Sequence, residues 1–312
     1  MQDHVQNSAS KRFATGLILA IVGSIAFSGK AIIVKLAYRY GVDAVTLIMY
    51  RMLFALPIFA GMAWWASRGK EALTRNDWLG VLGLGFTGYY LASYLDFAGL
   101  AYISAALERL ILYLNPTLVL ILGWLLYKKR MTSRQIGAMA LSYAGILLVF
   151  GHELSIQSIS TTDNGNTAWG ALLVFGSAVS YAIYLSYSGE MVKRLGSLRL
   201  VGLATTVACL LCIAQFAVLR PLSAMAVAPQ VIWLSVLNAT LCTALPVLAV
   251  MMAIERVGAP LAAQTGMIGP MSTILMGVFI LGEPLNAWII AGTVLVLAGV
   301  YMVSRSRPVG AD

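Results

Sequence analysis

The chain is divided into apolar stretches of roughly 20 residues, the length that crosses about 30 Å of hydrocarbon as an α-helix. Apolar residues make up 60% of the sequence and charged residues only 11%, whereas about a quarter of the residues in a soluble domain are charged. So few charges cannot cover a core with a water-facing surface. We therefore predict an all-α membrane protein with ten transmembrane helices, at residues 13–37, 44–66, 77–98, 101–126, 134–151, 168–189, 198–219, 228–252, 258–282 and 286–304.

The longest polar interval, residues 152–167, divides these spans into two groups of five. We predict a first five-helix repeat at 13–151, a second five-helix repeat at 168–304, and a connecting periplasmic loop at 152–167. Because five is an odd number of crossings, the second repeat is turned over relative to the first. The two five-helix repeats are therefore predicted to be inverted.

Short motifs match between the two halves. Asn115-Pro116 in the fourth span corresponds to Gly269-Pro270 in the ninth, and this pairing also places Gly145 on Gly299. Inverted repeats suit alternating access, in which two similar bundles exchange roles as gates around one central site. They favour a carrier, and a channel or a membrane-embedded receptor remain the alternatives.

Pro116 and Pro270 are predicted to kink their helices near mid-membrane. Proline removes a backbone hydrogen bond and clashes with the preceding turn, which frees carbonyl groups that can face a cavity. The alternative is bending that serves packing alone. Asn115, next to Pro116, is a predicted pathway residue.

Lysine and arginine residues lie mostly on one side of the predicted membrane, as the positive-inside rule describes. With a cytoplasmic N-terminus, fifteen of them fall in cytoplasmic segments and three, Lys35, Arg39 and Arg220, on the opposite side. We therefore expect a multi-pass protein of the cell inner membrane with both termini in the cytoplasm. This distribution explains the net charge of +9 without a nucleic-acid partner.

The sequence offers little support for enzyme or metal chemistry. It contains no H-E-x-x-H, G-x-S-x-G or G-x-x-x-x-G-K-[ST] motif. Both histidines, His4 and His152, lie outside the predicted spans, and the three cysteines lie inside apolar runs. We expect no catalytic residue, no metal site and no cofactor, and a gradient or the substrate itself as the source of energy.

Five ionisable residues stand out inside the predicted spans: Lys30, Arg51, Asp96, Glu108 and Arg109. An ionisable side chain in hydrocarbon costs at least about 2.5–3.5 kcal/mol on insertion scales, so it normally faces a cavity or a partner. All five lie at comparable heights in the outer half of the first repeat. There we predict the substrate pathway, whose three cations and two anions suit a zwitterion or an organic anion.

The alternative for these five residues is a set of structural ion pairs, with Lys30 and Asp96 reaching to the membrane interface. Glu108 and Arg109 are adjacent and therefore about 100° apart on a helix. We expect one of them to line a cavity and the other to pair with a neighbouring helix. Glu108 and Asp96 are the candidates for a carboxylate that couples transport to protons.

Uncharged residues are weaker candidates. Tyrosines and one glutamine could line the pathway, although tyrosine is common at membrane interfaces in any case; they are Tyr94, Tyr113, Tyr181, Tyr184 and Gln264. Small residues in the third span permit close approach of another helix, either within the protein or across a homodimer face; they are Gly80, Gly83, Gly85 and Gly88.

The sequence also resembles a known family over most of the membrane region. Residues 99–106 (G-L-A-Y-I-S-A-A), followed by Pro116, resemble the third-to-fourth helix signature of EamA-type permeases of the drug/metabolite transporter superfamily. Residues 253–260 (A-I-E-R-V-G-A-P), Pro270 and residues 281–285 (L-G-E-P-L) resemble the corresponding part of the second half.

The resemblance implies ten helices in two repeats and a secondary active transporter in the lipid bilayer. Such a permease or exporter moves a small-molecule substrate across the membrane by alternating access. The substrates of the family include amino acids, drugs and other metabolites, so we expect small organic metabolites such as amino acids or related zwitterions and anions.

Overall fold

A computed structural model describes residues 2–127, 132–159, 166–257 and 268–305, and nearly all of these residues are helical. In chain order the α-helices are α1 (Gln2–Tyr38), α2 (Ala44–Ser67), α3 (Arg75–Leu84), α4 (Ala92–Leu100), α5 (Ala105–Leu112), α6 (Asn115–Tyr127), α7 (Ser133–Ile159), α8 (Asn166–Leu195), α9 (Ser197–Leu219), α10 (Pro229–Ala239), α11 (Leu245–Val257), α12 (Ile268–Met276) and α13 (Ala287–Arg305). A short 3₁₀ turn, Leu222–Met225, lies between α9 and α10. These described segments contain no β-strand.

Among the described residues, seven helices are long and apolar enough to cross a membrane. Met271–Leu281 and Ala287–Met302 are shorter apolar helices. Large apolar side chains remain exposed on the outside, Val218 and Phe279 by 82% each. Such a surface suits lipid. The prediction of an all-helical membrane protein is therefore confirmed, and the total of ten crossings stays a prediction.

Polar residues in the joints determine where several helices begin. The Asp43 carboxylate accepts hydrogen bonds from two N–H groups in the first turn of α2. Thr74 and Asp77 form a reciprocal capping box at the start of α3, and Ser104 caps α5. These oxygens satisfy N–H groups that have no partner within the helix.

Two long helical stretches each contain a π turn. α3 continues through Gly85–Leu91 into α4, and α10 continues through Thr240–Ala244 into α11. A third π turn, Gly277–Leu281, follows α12. In the second of these turns the Thr243 hydroxyl donates to the Asn238 carbonyl, five residues earlier, at 2.8 Å. π turns interrupt the regular hydrogen-bond ladder and are frequent at functional sites.

Two helix boundaries differ from the predicted spans. α7 extends into the predicted loop 152–167 as far as Ile159, and α8 begins at Asn166. The predicted span 101–126 consists of two helices, because α5 ends at Leu112 and α6 begins at Asn115. Pro116 thus lies in the first turn of a helix, where its missing N–H leaves no hydrogen bond unmade.

Pro270 lies in α12, two residues after Ile268, the first described residue of that helix. The segment before it, residues 258–267, lies outside the described residues, and so does Gln264. The kink predicted at Pro270 therefore stays a prediction.

The closest helix pairs all join the first half of the chain to the second. They are α2 with α9, α7 with α13, α1 with α11, and α4 with α8. The α7–α13 pair is very close: a Cβ on Gly145 would lie 2.7 Å from the Gly292 carbonyl oxygen, and a Cβ on Gly299 would lie 2.6 Å from the Ala138 carbonyl oxygen. Only glycine permits such an approach of two backbones.

Most of the glycines in the third span contact other helices of the same chain. A Cβ on Gly80 would meet Met191 of α8, one on Gly85 would meet the Ala204 carbonyl of α9, and one on Gly88 would meet Tyr184 of α8. Of the four glycines in this span, Gly83 alone has no atom within 4 Å of its Cβ position in the described structure. The stripe is therefore used mainly for internal packing, which was one of the two predicted alternatives.

Candidate functional site

The five charged residues predicted as pathway residues come from four helices and are all buried. We call Lys30, Arg51, Asp96, Glu108 and Arg109 the charged cluster. Their exposed fractions lie between 0% and 7%. They lie toward the end of the bundle where α1 and α4 finish and where α2 and α5 begin. We call this the Tyr38 end, and the opposite end, where α2 finishes, the Ser67 end.

Lys30 lies between the two carboxylates of the cluster. Its Nζ donates to Asp96 Oδ2 at 2.5 Å and lies 3.4 Å from Glu108 Oε1. The second contact is an ion pair without a hydrogen bond, and neither Glu108 oxygen has a hydrogen-bond partner among the described residues. With both carboxylates ionised, this group of three carries one net negative charge.

Arg109 connects the cluster to the second half of the chain. Its Nη2 donates to the Ser28 hydroxyl at 2.9 Å, and that hydroxyl is 2.9 Å from the Gly269 carbonyl of α12. The guanidinium also lies over the rings of Phe27 and Tyr113, at 5.3 and 5.7 Å from their centroids. Contacts of this kind stabilise a buried cation without a carboxylate.

Glu108 and Arg109 point apart, as their positions on a helix require, but both reach α1. Glu108 faces Lys30 and Arg109 faces Ser28. The prediction that only one of the two pairs with a neighbouring helix is therefore wrong. Both side chains are long enough to reach different residues of the same crossing helix.

Arg51, the member of the cluster on α2, contacts residues of α4 and of the second half of the chain. Its Nε donates to the Thr243 hydroxyl at 3.1 Å, in the π turn between α10 and α11. Its guanidinium lies 5.1 Å from the centroid of the Phe97 ring, and Phe97 follows Asp96 in α4. Arg51 Nη1 is buried and has no hydrogen-bond partner among the described residues.

Asn115 is set apart from the charged cluster. It begins α6, and its Oδ1 is buried without a hydrogen-bond partner in the described part of the chain. Within the described residues, the hydrogen bonds and ion pairs of the five charges do not involve Asn115. The structure brings together the five charged residues and leaves Asn115 as a separate candidate.

Three residues of the second half belong to the site and were not predicted for it. Thr243 binds Arg51, and the Gly269 carbonyl accepts from Ser28. Glu283 Oε1 accepts a 3.0 Å hydrogen bond from the backbone N–H of Ala105 at the start of α5. A carboxylate is favourable at a helix N-terminus, so Glu283 stabilises the helix that carries Glu108 and Arg109.

A second buried cluster lies between α3–α4 and α8, and it contains no charge. The hydroxyls of Tyr89 and Tyr184 are 3.1 Å apart, and the Tyr181 ring is stacked on Tyr184 at 5.4 Å between centroids. Thr205 of α9 is buried beside Tyr89. We call these four residues the tyrosine cluster.

Two cavities open at the Tyr38 end. One has a volume of about 520 Å³ and is lined by Tyr38, Asp43, Val45, Tyr94, Trp169 and Arg220 among others. The other has a volume of about 370 Å³ and is lined by Lys35, Tyr38, Arg39, Leu100, Ala101, Leu281 and Glu283. Tyr38 lines both cavities, and its hydroxyl donates to the Phe97 carbonyl at 2.5 Å. Tyr38 therefore lies between the cavities and the charged cluster.

Asp43 and Arg220 form an ion pair at the rim of the larger cavity, with 3.1 Å between Oδ1 and Nε. Partial burial acts to raise the pKa of Asp43, but hydrogen bonds from Thr46 and Arg220 act more strongly in the opposite direction. The pKa of Asp43 therefore lies below its usual value, and the carboxylate is ionised at neutral pH.

Comparison with known proteins gives matches along the whole membrane region. The profile of the EamA-like transporter family matches twice, at residues 14–151 and 168–305. The uncharacterized transporter YcbK of Bacillus subtilis (strain 168) is 27% identical over 290 residues, 90% of this chain and 90% of that protein. The uncharacterized transporter YyaM of the same organism is 26% identical over 270 residues, 86% of this chain and 83% of its own length.

Proteins of lower sequence identity also match this chain over nearly its whole length. An uncharacterized transporter of Archaeoglobus fulgidus is 22% identical over 294 residues, 94% of this chain and 98% of that protein. A solved crystal structure matches 93% of this chain and 98% of its own with a TM-score of 0.61 and 15% identity, which shows a common fold. The two profile matches cover far more than half of the chain and agree with the resemblance seen in its motifs. The chain belongs to the EamA-like transporter family.

Proposed function

We propose that this protein is a secondary active transporter that moves small organic metabolites across the inner membrane by alternating access. The charged cluster, buried where the two halves of the chain meet, is the observation that carries the proposal. Arg51 of the first half donates to Thr243 of the second half. Arg109 donates to Ser28, whose hydroxyl in turn donates to the Gly269 carbonyl of the second half. A polar site shared by two halves is what alternating access requires.

The helix pairs support ten helices in two inverted repeats, at 13–151 and 168–304. If α1 corresponds to α8 and α4 corresponds to α11, the α1–α11 pair corresponds to the α8–α4 pair. The α2–α9 and α7–α13 pairs each join two corresponding helices. A pseudo-two-fold relation between the halves explains all four pairs at once.

Individual contacts repeat at a constant interval of 154 residues along the chain. Pro116 and Pro270 are 154 residues apart, and so are Gly145 and Gly299. At that interval the contact of Gly145 with Gly292 corresponds to the contact of Gly299 with Ala138. The π turn Gly85–Leu91 likewise corresponds to the π turn Thr240–Ala244. Two related bundles of this kind can exchange roles as gates.

The distribution of basic residues supports both termini in the cytoplasm. Arg194 and Arg199 lie at the Ser67 end, where Arg194 pairs with Asp77 at 3.1 Å and Arg199 donates to the Glu71 carbonyl at 2.9 Å. The Tyr38 end has fewer basic residues, Lys35, Arg39 and Arg220 among them. By the positive-inside rule the Ser67 end is cytoplasmic, and the two cavities then open toward the periplasm.

Flux through the purified protein in proteoliposomes tests this function. A labelled panel of neutral, aromatic and acidic amino acids and of organic acids is offered with and without a pH gradient. We expect saturable flux, counterflow with unlabelled substrate on the opposite side, and loss of both in Arg51→Ala and Glu108→Ala. Arg199→Ala is the matched control, because Arg199 is a buried arginine at the Ser67 end.

Each outcome separates the proposed mechanism from its alternatives. Flux that does not saturate and shows no counterflow would identify a channel. Flux that survives both substitutions would leave a carrier whose charged cluster is structural. Uphill accumulation driven by the pH gradient and lost in Glu108→Gln would assign proton coupling to this carboxylate.

A further inference from the structure

The charged cluster contains one more positive than negative charge. Lys30 lies between the two carboxylates, so the excess cation is one of the two arginines. Arg51 is the arginine on α2, the helix whose first turn lines the larger cavity. Among the described residues no carboxylate oxygen lies within 4.0 Å of its guanidinium.

Apart from Asp96, which acts on Arg51 electrostatically, the groups around the guanidinium are neutral. The Phe97 ring covers its guanidinium, and the Thr243 hydroxyl accepts its Nε–H. The thiols of Cys209 and Cys212, both fully buried, are also close to it. Neutral groups of this kind provide a site for a cation but do not compensate its charge.

One N–H group of Arg51 points into this interior without an acceptor. Arg51 is only 5% exposed, and its Nη1 has no hydrogen-bond partner in the described residues. A buried charged donor without an acceptor is costly to a folded protein. A guanidinium also presents its N–H groups in a planar fork that matches a carboxylate. The missing partner is therefore an anion of this shape.

The larger cavity is lined by the first turn of α2, the helix that carries Arg51. Val45 and Tyr94 line it, and Arg51 is six residues further along α2 than Val45, which is about 9 Å at 1.5 Å per residue. Tyr94 packs with Val45 and with Tyr50, the residue before Arg51. A volume of about 520 Å³ is within the range of small-molecule sites. A ligand beside Val45 is thus between one and two helical turns away from Arg51.

We propose that Arg51 binds the carboxylate group of the transported molecule, with Nη1 as the donor that this carboxylate satisfies. The inference rests on the proposed transport function and adds the substrate class to it. Molecules with a free carboxylate are substrates, and their amides are not. Thr243 and Phe97 position the guanidinium and do not replace it.

Ligand-induced thermal stabilisation of the purified protein tests the substrate class without a flux assay. Two series of probes are used, each with a carboxylate, the corresponding amino acid and the amide. The aliphatic series is isovalerate, valine and isovaleramide, and the aromatic series is 3-phenylpropionate, phenylalanine and 3-phenylpropionamide. Each probe is compared with an equal concentration of sodium chloride. We expect a saturable rise in melting temperature for at least one carboxylate of a series and none for the matching amide. The rise disappears in Arg51→Gln and persists in Arg199→Gln. Arg51→Lys keeps the charge but loses the fork, and weakens binding at least tenfold.

Thr243→Asp gives an independent test that does not depend on the choice of ligand. It places a carboxylate on the side chain that contacts Arg51 Nε, so it supplies the missing anion from within the protein. We expect a higher melting temperature than in Thr243→Asn, which has the same size without the charge. We also expect Thr243→Asp to respond less to carboxylates than Thr243→Asn does.

Three results would overturn the inference while leaving the transport function intact. The first is equal stabilisation by an acid and its amide. The second is a carboxylate response that is unchanged in Arg51→Gln. The third is no response to any carboxylate, together with a Thr243→Asp protein no more stable than Thr243→Asn. Saturable flux in the proteoliposome assay, alongside any of these results, would show that only the role of Arg51 is wrong.

Discussion

Lys30 and Arg51 of the charged cluster are each 154 residues from a member of the tyrosine cluster, Tyr184 and Thr205. This is also the interval between Pro116 and Pro270. The contact of Arg51 with Thr243 then corresponds to the neighbouring pair of Thr205 and Tyr89. Under the proposed two-fold relation, the two clusters occupy corresponding places in the two halves, one toward the Tyr38 end and the other toward the Ser67 end.

The side chains of the two clusters differ in charge, although the proposed two-fold relation places them at corresponding positions. The charged cluster contains five ionisable residues, with ion pairs around Lys30, a hydrogen bond from Arg51 to Thr243 of the other half, and one from Arg109 to Ser28. The tyrosine cluster is held by ring packing and one contact between hydroxyls. If the proposed two-fold relation holds, the backbone arrangement is shared and the sequence of each half decides the chemistry at each end. We interpret the tyrosine cluster as an uncharged closure at the Ser67 end.

The largest expected difference between the clusters concerns stability. Lys30→Met leaves Asp96 and Glu108 buried without their cation, which costs about 3–5 kcal/mol. Tyr184→Phe removes one neutral hydrogen bond from the tyrosine cluster and costs about 0.5–1.5 kcal/mol. Unfolding of both variants in mixed detergent micelles measures the two values.

A second substitution shows whether the loss comes from charge. Adding Glu108→Gln to Lys30→Met removes one of the two unpaired carboxylates, so part of the lost stability should return. Similar losses for Lys30→Met and Tyr184→Phe would mean that the charged cluster is hydrated in the membrane and is not a dry ion-pair network.

The correspondence of the frameworks predicts equal effects at two distant glycines. Gly145→Ala and Gly299→Ala each place a Cβ within 3.0 Å of a backbone oxygen between α7 and α13. Overpacking of this kind costs about 1–3 kcal/mol, and the two losses should agree with each other. Gly137→Ala is the control, because nothing lies within 4 Å of its Cβ position. Unequal losses would break the proposed two-fold relation at this helix pair.

The charged part of the site could be predicted from the sequence because an ionisable residue in an apolar helix has few stable environments. Lys30, Asp96 and Glu108 were found in this way. Thr243 and Ser28 were not, because hydroxyl residues are common in membrane helices and usually bond to their own backbone. Ser28 does both: its hydroxyl reaches the Ser24 carbonyl and also Arg109. Only the arrangement of the helices distinguishes the second contact from the first.

The helix pattern was predictable to the same degree. Apolar runs and polar joints predict where the helices lie. A proline such as Pro116, however, is compatible both with a bend in one helix and with the start of a new helix. The structure ends α5 at Leu112 because the next residues form a turn, in which the Leu114 N–H bonds to the Ile111 carbonyl. That choice depends on the packing of Arg109 and Tyr113 against α1 and α12, which lie far away in the sequence.

The smallest expected effect concerns the ion pair at the cavity rim. Asp43 and Arg220 have side chains that are 38% and 42% exposed, and an exposed pair of this kind contributes about 0–1 kcal/mol. Asp43→Asn removes the charge but keeps an oxygen that can cap α2, since asparagine and aspartate cap equally well. Any change in stability therefore measures the interaction between the Asp43 charge and Arg220.

The pH dependence of this variant follows from the direction of the Asp43 pKa shift. Because the folded state lowers the pKa of Asp43, its stabilising contribution is fully present above the pKa of the unfolded chain and is lost as pH falls through the lower folded value. The stability of wild type and Asp43→Asn should thus differ slightly at neutral pH and converge in acid. A loss as large as that of Lys30→Met would mean that the cavity rim is closed off from water in the membrane. The contrast between the two ion pairs would then reflect position in the bilayer and not burial within the protein.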